Sequence, residues 1–560
     1  MSPTARPLHE DASAAAPAGA WTSRAGLAFP DLVPRARRAA WARAGLCPDD
    51  DLYTLFVRRV RAHPDRDALV DPVGVLDYAA LHDLVLRWTA RWARAGVRPR
   101  DVVALRLPNG RDAVAAELAV YACGGVALPV PPGGDDRDLR RLVERSRARA
   151  VVLPADERAA LAAPLLPCAV LVPGAEDVPG TPSAPPQRCV DPYGPARILV
   201  SSGSEAEPTM VAYSHQALAG GRARYVRALH PETSVPPRHL VLVSLASSFG
   251  SLGTPVTLAV LGGTLVVQES FDPGDALRLV AAHRPTHLFG VPTMLRRIAD
   301  LPRTAGEDLS SLRAVVSSGA ALPASTALLC RSRFGRPVIT VYGSSDGVNC
   351  HTAGERVPVA GSTGTPDPEV ARIRITAPDG RVLPRGRAGQ IEALGPMTPL
   401  CYVDAPELDA RYRSPDGGWV RTGDLGRLDA LGRLHVLGRS KRIVVRGGRN
   451  ISTAEVEAEL GTCPTIAEVA CVPVPDADLG ERLCACVRPA PGAAAPTLDT
   501  VVAHLRARGL AQHKHPEHLL LVEEMPLGPT GKVSYRALAE RAASGVPCGV
   551  PTGAPAPGRR

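Results

Sequence analysis

Residues 198–215 read ILVSSGSEAEPTMVAYSH. Three branched apolar residues, Ile198, Leu199 and Val200, predict a short strand, and the strand empties into Ser201, Ser202, Gly203 and Ser204. Hydroxyl donors around a glycine suit an anion, because the glycine lets it approach the main-chain N–H groups closely. Taken alone, the stretch reads equally as a phosphate-binding loop at the end of a sheet strand or as a plain turn. Its peculiarity is charge. The GxxxxGK[ST] pattern is absent, no lysine follows, and the loop carries Glu205, Glu207 and Thr209 instead.

On either side, β and α signals alternate. DVVALRLP (101–108) reads as a strand, 113–123 as an apolar helix and GGVALPV (124–130) as a second strand, which makes a βαβ unit. THLFGVP (286–292), LRAVVSSGAALP (312–323) and VITVYGSSDG (338–347) repeat the theme of a strand running into a Gly-, Ser- or Pro-bearing turn. Repeated units of this kind predict parallel sheets buried on both faces, with ligands at the carboxyl ends of the strands. Leu81, Leu84, Val85, Trp88 and Trp92 fall at helical spacing, and the two tryptophans are expected in the core.

At 560 residues the chain exceeds one ordinary core and is expected to divide. The texture changes near Leu437, where the basic, Gly-rich GRSKRIVVRGGRN (438–450) begins. It leads into Ser452-Thr453-Ala454-Glu455, a capping-box pattern, and then into strands and helices of a small α+β domain. The expected division is a disordered tail over 1–20, a large α/β domain over 21–438, a small domain over 439–544 and a disordered tail over 545–560.

The net charge of +9 comes from dispersed arginines, and aromatics make up only 4%, so nothing points to a nucleic-acid surface. Twelve scattered cysteines form no CxxC pair and no leader precedes them, which predicts reduced thiols in a cytoplasmic protein. Residues 240–267 carry no charge, but Gly250, Gly253, Pro255 and Gly262-Gly263 divide the run into pieces too short to span a bilayer. It is expected to hold a strand at 240–245, part of a helix at 257–261 and a strand at 264–267. His513 and His515 have no further ligands nearby and are not expected to bind a metal.

Other strand ends carry candidate chemistry. Tyr342 can stack on a purine, and Asp346 can meet magnesium held by phosphates. Asp424, in WVRTGDLG (419–426), can accept hydrogen bonds from ribose hydroxyls, and Arg439 can add a sugar or phosphate contact. Lys532, between a Gly-rich turn and a helix, can meet a developing anion.

Taken in order, these stretches resemble one family, the ANL superfamily of adenylate-forming enzymes, which contains acyl-CoA synthetases, adenylation domains and luciferases. The resemblance covers about 52–542 and is carried by SSGSEAEPTMVAYSH, VVSSGAALP, VYGSSDG, GQIEALG, WVRTGDLG, GRSKRIVVRGGRNISTAEVEAEL and GPTGKVSYRAL. The last two look most similar to stand-alone aryl-acid AMP ligases and to the cyclic-carboxylate CoA ligases near them. The resemblance implies an N-terminal domain of stacked αβ layers with a mobile α+β lid. It also implies two-step chemistry: a carboxylate attacks the α-phosphate of ATP·Mg²⁺, and a thiol of CoA or of a carrier protein's phosphopantetheine then takes the acyl group.

Roles follow by the same resemblance. Lys532 serves adenylation, and Ser201–Ser204 with Thr209 form the phosphate loop. Gly319, Ala320, Tyr342, Gly343, Asp424 and Arg439 surround adenine and ribose. Asp346 and Ser345 serve the metal, Lys441 the hinge, and Gly447 and Gly448 the thiol's path. Ser247, Ser248, Phe249 and Gly347 floor the acyl pocket.

Three departures matter. Thr209 stands where the family has the lysine that holds the β/γ-phosphates, a loss expected to cost roughly 1.5–3 kcal/mol of ATP binding. Asp346 stands where the family has a longer glutamate. Ser247 and Ser248 replace a His-Asn pair common in hydroxybenzoate ligases, although a serine there still offers a hydrogen bond. No basic or acidic residue is evident around the pocket segments, which argues against an amino-acid substrate and leans to an aromatic or cyclic acid. An amine acceptor, or a relative silenced by Thr209, are the competing expectations. No carrier domain is visible, so the thiol would belong to CoA or to a separate carrier protein. Neither nucleic acid nor membrane insertion is expected.

Overall fold

The computed structural model describes residues 21–132, 136–160, 166–174, 191–201, 208–229, 235–304, 307–345, 347, 349–353, 361–414, 417–439, 443–446, 449–476, 479–528 and 531–545. Both expected tails, except 545 itself, lie outside the described residues. The chain forms two compact units, Met1–Leu322 with Leu329–Val436, and Pro323–Leu328 with Leu437–Arg560.

Two mixed sheets organise the first unit. One has seven strands in the order Cys401–Tyr402, Thr209–Ser214, Pro195–Ser201, Val126–Pro129, Val102–Leu105, Ala150–Val152 and Ala169–Leu171. The other has eight, from Asn349–His351 through Val338–Gly343, Ala314–Ser318, His287–Gly290, Arg238–Val241, Thr264–Val267 and Asp67–Asp71 to Gly74–Asp77. Their central strands run parallel; antiparallel pairs close both edges of the eight-stranded sheet and one edge of the seven-stranded sheet, whose other edge pair, Ala150–Val152 with Ala169–Leu171, is parallel. Strand alternation decides the layering. Val103, Leu105, Ala127 and Leu199 enter a core shared with the eight-stranded sheet and with the helices Tyr78–Arg94 and Arg111–Ala122. Their neighbours Val102, Ala104, Val126 and Ile198 face a separate cluster on the other side. Trp88 and Trp92 are buried core residues. A four-stranded antiparallel sheet, Arg372–Thr376, Gly389–Leu394, Val420–Leu428 and Leu434–Arg439, completes the unit, and the chain passes to the second unit within its last strand.

The uncharged segment after residue 240 departs from the expected pattern. The strand is shorter, Arg238–Val241, and the helix is a 3₁₀ turn, Gly250–Leu252, continuing as a π-helix, Gly253–Val260. A side chain at Gly250 would collide with the Ser244 carbonyl, so only glycine lets the chain fold back there. Among the described residues no helix is long and apolar enough to cross a membrane.

In the second unit, Arg449–Ser452, Ile443–Arg446, Gly480–Pro489 and Ile466–Asp476 form a sheet in that order, with His518–Leu521 parallel beside Gly480–Pro489. Its faces again alternate. Leu483, Ala485 and Val487 pack with the helices Thr453–Leu460 and Leu498–Ala507, whereas Cys484 and Cys486 face the helix Tyr535–Gly545. Ser452 caps its helix through Glu455 N–H at 3.4 Å. The reciprocal half of the expected capping box is replaced, because the Glu455 carboxylate pairs with Lys514 at 2.6 and 2.7 Å. All ten described cysteines are free.

Candidate active site

The opening stretch is a β-hairpin. Pro195–Ser201 pairs antiparallel with Thr209–Ser214, and Thr209 stands opposite Ser201. The return strand was not anticipated, although the run Met210-Val211-Ala212-Tyr213 carries the apolar and aromatic character of one. Thr209, half-buried, therefore sits where the chain re-enters the sheet. Ser202, Gly203 and Ser204, with Glu205 and Glu207, lie outside the described residues, as does the side chain of Ser201.

Two residues 82 positions apart meet where the end of Val338–Gly343 faces the middle of Val420–Leu428. The Tyr342 hydroxyl, at the end of Val338–Gly343, donates to Asp424 Oδ2 at 2.6 Å and lies 3.3 Å from Thr422 Oγ1. Thr422 Oγ1 accepts from the Asp424 N–H at 3.1 Å and donates to the Ile391 carbonyl at 3.1 Å. Asp424 is only 5% exposed, so the phenol and threonine fix its orientation in a largely water-free setting. Tyr342 thus orients the carboxylate, a role that its expected purine stacking did not include. Gly319 follows the strand Ala314–Ser318 with φ +90°, a conformation open to glycine at little cost. Ala320 beside it is exposed, and Gly343 closes its strand.

Ser345 and Gly347 are held from a second direction. The Tyr213 hydroxyl donates to the Ser345 carbonyl at 2.8 Å. Gly347 has φ +90°, and a Cβ there would lie 2.8 Å from both the Met397 carbonyl oxygen and Pro399 Cδ. Asp346 is outside the described residues.

The segment 244–253 is anchored by a buried polar network. Leu245 N–H donates to Asn109 Oδ1 at 2.8 Å, and its carbonyl accepts from Arg197 Nη2 at 2.5 Å. Arg197 is ion-paired with Glu117, which also accepts from the Tyr121 hydroxyl at 2.5 Å. Glu117 and Arg197 were missed in the sequence reading. The signal was one acidic residue in the apolar helix AVAAELAVYA and one basic residue in the apolar strand PARILVS. Phe249 packs edge-on against Phe289 with ring centroids 6.0 Å apart.

Two expectations are corrected here. The Ser247 hydroxyl donates to the Ser244 carbonyl at 2.7 Å and accepts from Gly250 N–H at 2.9 Å, so it closes its own turn and has no proton left to donate to a ligand. The segment is also not free of charge. Arg222, 3% exposed, donates through Nη1 to the Ser248 carbonyl at 2.7 Å and to Ser251 Oγ at 2.9 Å, and its guanidinium lies 5.2 Å from the Tyr213 ring centroid.

In the second unit, Lys532 is half-buried in a tight turn ahead of the helix Tyr535–Gly545. Gly528 N–H donates to the Lys532 carbonyl at 2.7 Å, Gly531 N–H to the Gly528 carbonyl at 2.9 Å, and Leu527 bridges Val533. Lys441, Gly447 and Gly448 lie outside the described residues, as does the side chain of Arg439.

A chain with two largely parallel sheets and a buried, tyrosine-held carboxylate matches the AMP-binding enzyme family over residues 56–403, and its C-terminal domain over 455–532. The chain belongs to that family and is an adenylate-forming ligase of the ANL type. It is 32% identical to a feruloyl-CoA synthase of a Streptomyces species over 85% of this chain and 96% of the relative. It is 30% identical to the 2-hydroxy-7-methoxy-5-methyl-1-naphthoate–CoA ligase of Streptomyces carzinostaticus, over 96% and 99%. Among solved structures, the amide bond synthetase McbA of Marinactinospora thermotolerans superposes with a TM-score of 0.76 at 30% identity, covering 87% of this chain and 99% of its own.

Proposed function

We propose that the protein converts an aromatic or cyclic carboxylic acid, with ATP, into its acyl adenylate and pyrophosphate, and then passes the acyl group to a thiol of CoA or of a separate carrier protein. The observation that carries this reading is the buried Asp424 carboxylate, oriented by Thr422 and by Tyr342 at the end of a parallel strand. A fixed carboxylate accepts two ribose hydroxyl bonds without first having to be ordered. Gly319 and Gly343, which have no side chain, are the proposed main-chain contacts for a planar base, with Ala320 and Arg439 as the further proposed contacts.

Adenylation places negative charge at the α-phosphate, and a lysine there favours the transition state. We assign that role to Lys532, and phosphate binding to Ser201–Ser204 with Thr209. Magnesium bound to a nucleotide uses one or two carboxylates beside the phosphates. The Ser345 carbonyl is already engaged by Tyr213, so the Ser345 hydroxyl, with Asp346, is proposed to hold the ion. When bound, the ion neutralises phosphate charge. Lys441 as hinge and Gly447-Gly448 as thiol path complete the proposal, with Ser248, Phe249 and Gly347 at the acid.

An amine as acceptor is the second reading, favoured by the likeness to an amide bond synthetase. The test is acid-dependent ATP–pyrophosphate exchange over aryl, bicyclic and fatty acids, followed by product analysis with CoA and with amines. Exchange with aryl or cyclic acids, reduced at least a hundredfold by Lys532→Ala, is the expected result. Thr209→Lys should lower the KM for ATP about tenfold or more, matching one recovered charge-assisted hydrogen bond. Exchange absent with every acid in both the wild type and Thr209→Lys would overturn the assignment.

A further inference from the structure

Arg222 carries an interaction left unfilled by the fold. Six arginines are buried among the described residues, and five of them face a carboxylate within 4.0 Å: Arg38, Arg106, Arg197, Arg333 and Arg413. Arg222 faces none. Its Nη1 is occupied by Ser248 and Ser251, while Nε and Nη2 are buried without a hydrogen-bond partner among the described residues. A guanidinium cannot shed its proton to escape this situation, and a buried charge without a partner is costly.

The two free groups are adjacent and form one edge of the guanidinium. Elsewhere in this chain the same edge holds a carboxylate side-on. Arg111 reaches Asp71 through Nε at 3.0 Å and Nη2 at 2.7 Å, and Arg38 reaches Asp31 through Nε at 2.5 Å and Nη2 at 2.8 Å. That edge is therefore the right shape for a planar two-oxygen anion.

Its position is also built. The helix carrying Arg222 is π-wound over Leu218–Arg222, a distortion found often at functional sites. Gly221 lies so close to Met397 that any side chain would collide with the Met397 backbone. Tyr213, over which Arg222 lies, reaches Ser345 with its hydroxyl. The guanidinium thus joins segments that leave the carboxyl ends of two parallel strands, Arg238–Val241 and Val338–Gly343, where α/β sheets bind ligands.

We propose that Arg222 sets acid specificity by binding a second carboxylate, remote from the reacting one, so that the preferred substrate is a dicarboxylic aromatic or cyclic acid. This rests on the reading of the protein as an acid-activating ligase. A site built around an unpaired charge rejects an analogue lacking the matching group far more strongly than an apolar pocket rejects a missing methylene.

The test pairs mono- and dicarboxylic acids on the same rings: benzoate with isophthalate and terephthalate, and cyclohexanecarboxylate with its diacids. Calorimetric binding without ATP and pyrophosphate exchange with ATP are measured for the wild type, Arg222→Met and Arg222→Lys. Wild type should bind a diacid at least tenfold more tightly than its monoacid. Arg222→Met should abolish that preference and leave the monoacid within about threefold, while Arg222→Lys, which keeps the charge but not the fork, should recover only part of it. Because methionine removes an unpaired buried charge, thermal stability should hold or rise.

Equal losses for both acids would mean that Arg222 holds the reacting carboxylate, and would overturn the proposal. So would a wild type without diacid preference, or a lower melting temperature with unchanged selectivity, which marks a structural arginine. Arg222-dependent diacid binding without exchange would uphold the site and count against the ligase reading. Exchange confined to monoacids would do the reverse.

Discussion

Replacing Arg197 with methionine strikes the network that anchors residues 244–253. Glu117 and Arg197 are 3% and 0% exposed, so the variant leaves a carboxylate buried without its counter-charge and removes the donor to the Leu245 carbonyl. Breaking one side of a buried pair costs about 3–5 kcal/mol. The first unit spans about 430 residues, and at about 2.1 cal/mol/K per residue its unfolding entropy is roughly 0.9 kcal/mol/K. The expected fall in melting temperature is therefore roughly 3–6 °C by calorimetry. Adding Glu117→Gln removes the stranded charge and keeps an acceptor for Tyr121, so the double variant should recover more than half of the loss. In exchange assays the KM for the acid should rise with the KM for ATP unchanged, because Asn109 alone then holds Leu245. A single variant that melts within about 1 °C of wild type would refute the desolvation argument. So would a double variant as unstable as the single one.

Two further predictions concern the same unit. Gly347→Ala should lower kcat/KM for the acid at least tenfold and reduce the melting temperature, since φ +90° alone costs about 1–2 kcal/mol for an L-residue and the new methyl would press on Met397 and Pro399; wild-type kinetics and melting would contradict the glycine's role. Burial pushes the Asp409 carboxyl up to about 6, against the opposing Tyr402 N–H and Arg413. Its pKa in the folded chain lies above the ordinary value, so between about pH 4 and 6 the folded state binds more protons than the unfolded state and stability falls as pH rises. Asp409→Asn should flatten that slope in melting curves taken from pH 4 to 6.5, and an unchanged slope would show that Asp409 does not produce it.

The sheets were legible because burial on both faces makes 102–105, 126–128 and 198–200 uninterrupted apolar runs. The return strand Thr209–Ser214 was less legible because its short run, Met210 to Tyr213, is flanked by the polar loop residues on one side and by Ser214 on the other. Tyr342 and Asp424 were legible as residue types, but their hydrogen bond was not, since nothing local links positions 82 residues apart. Arg222 was hidden for two reasons. It sits among Arg224 and Arg227 in the same helix, so composition does not single it out. The π-winding of 218–222 also shifts the faces that a 3.6-residue period would assign. The loop chemistry of Ser247 failed differently: the residue type suited a ligand, but the turn that Gly250 permits took up its hydroxyl proton.

Arg197 and Arg222 answer the same physical problem in two ways. Both are buried guanidiniums attached to the segment 244–253 through backbone carbonyls, Leu245 for one and Ser248 for the other. For Arg197 the chain supplies the counter-charge, and the pair becomes a fixed strut. For Arg222 it supplies two neutral acceptors and an aromatic face, which orient the cation without neutralising it. The desolvation of Arg222 is therefore completed on folding, before any substrate arrives. An incoming carboxylate gives up only its own hydration and meets donors already aligned, which is the preorganised case in which charge pairing adds most to binding. A monoacid gains nothing from that arrangement and leaves the charge unpaired, so the discrimination comes from the acid that does not fit as much as from the one that does.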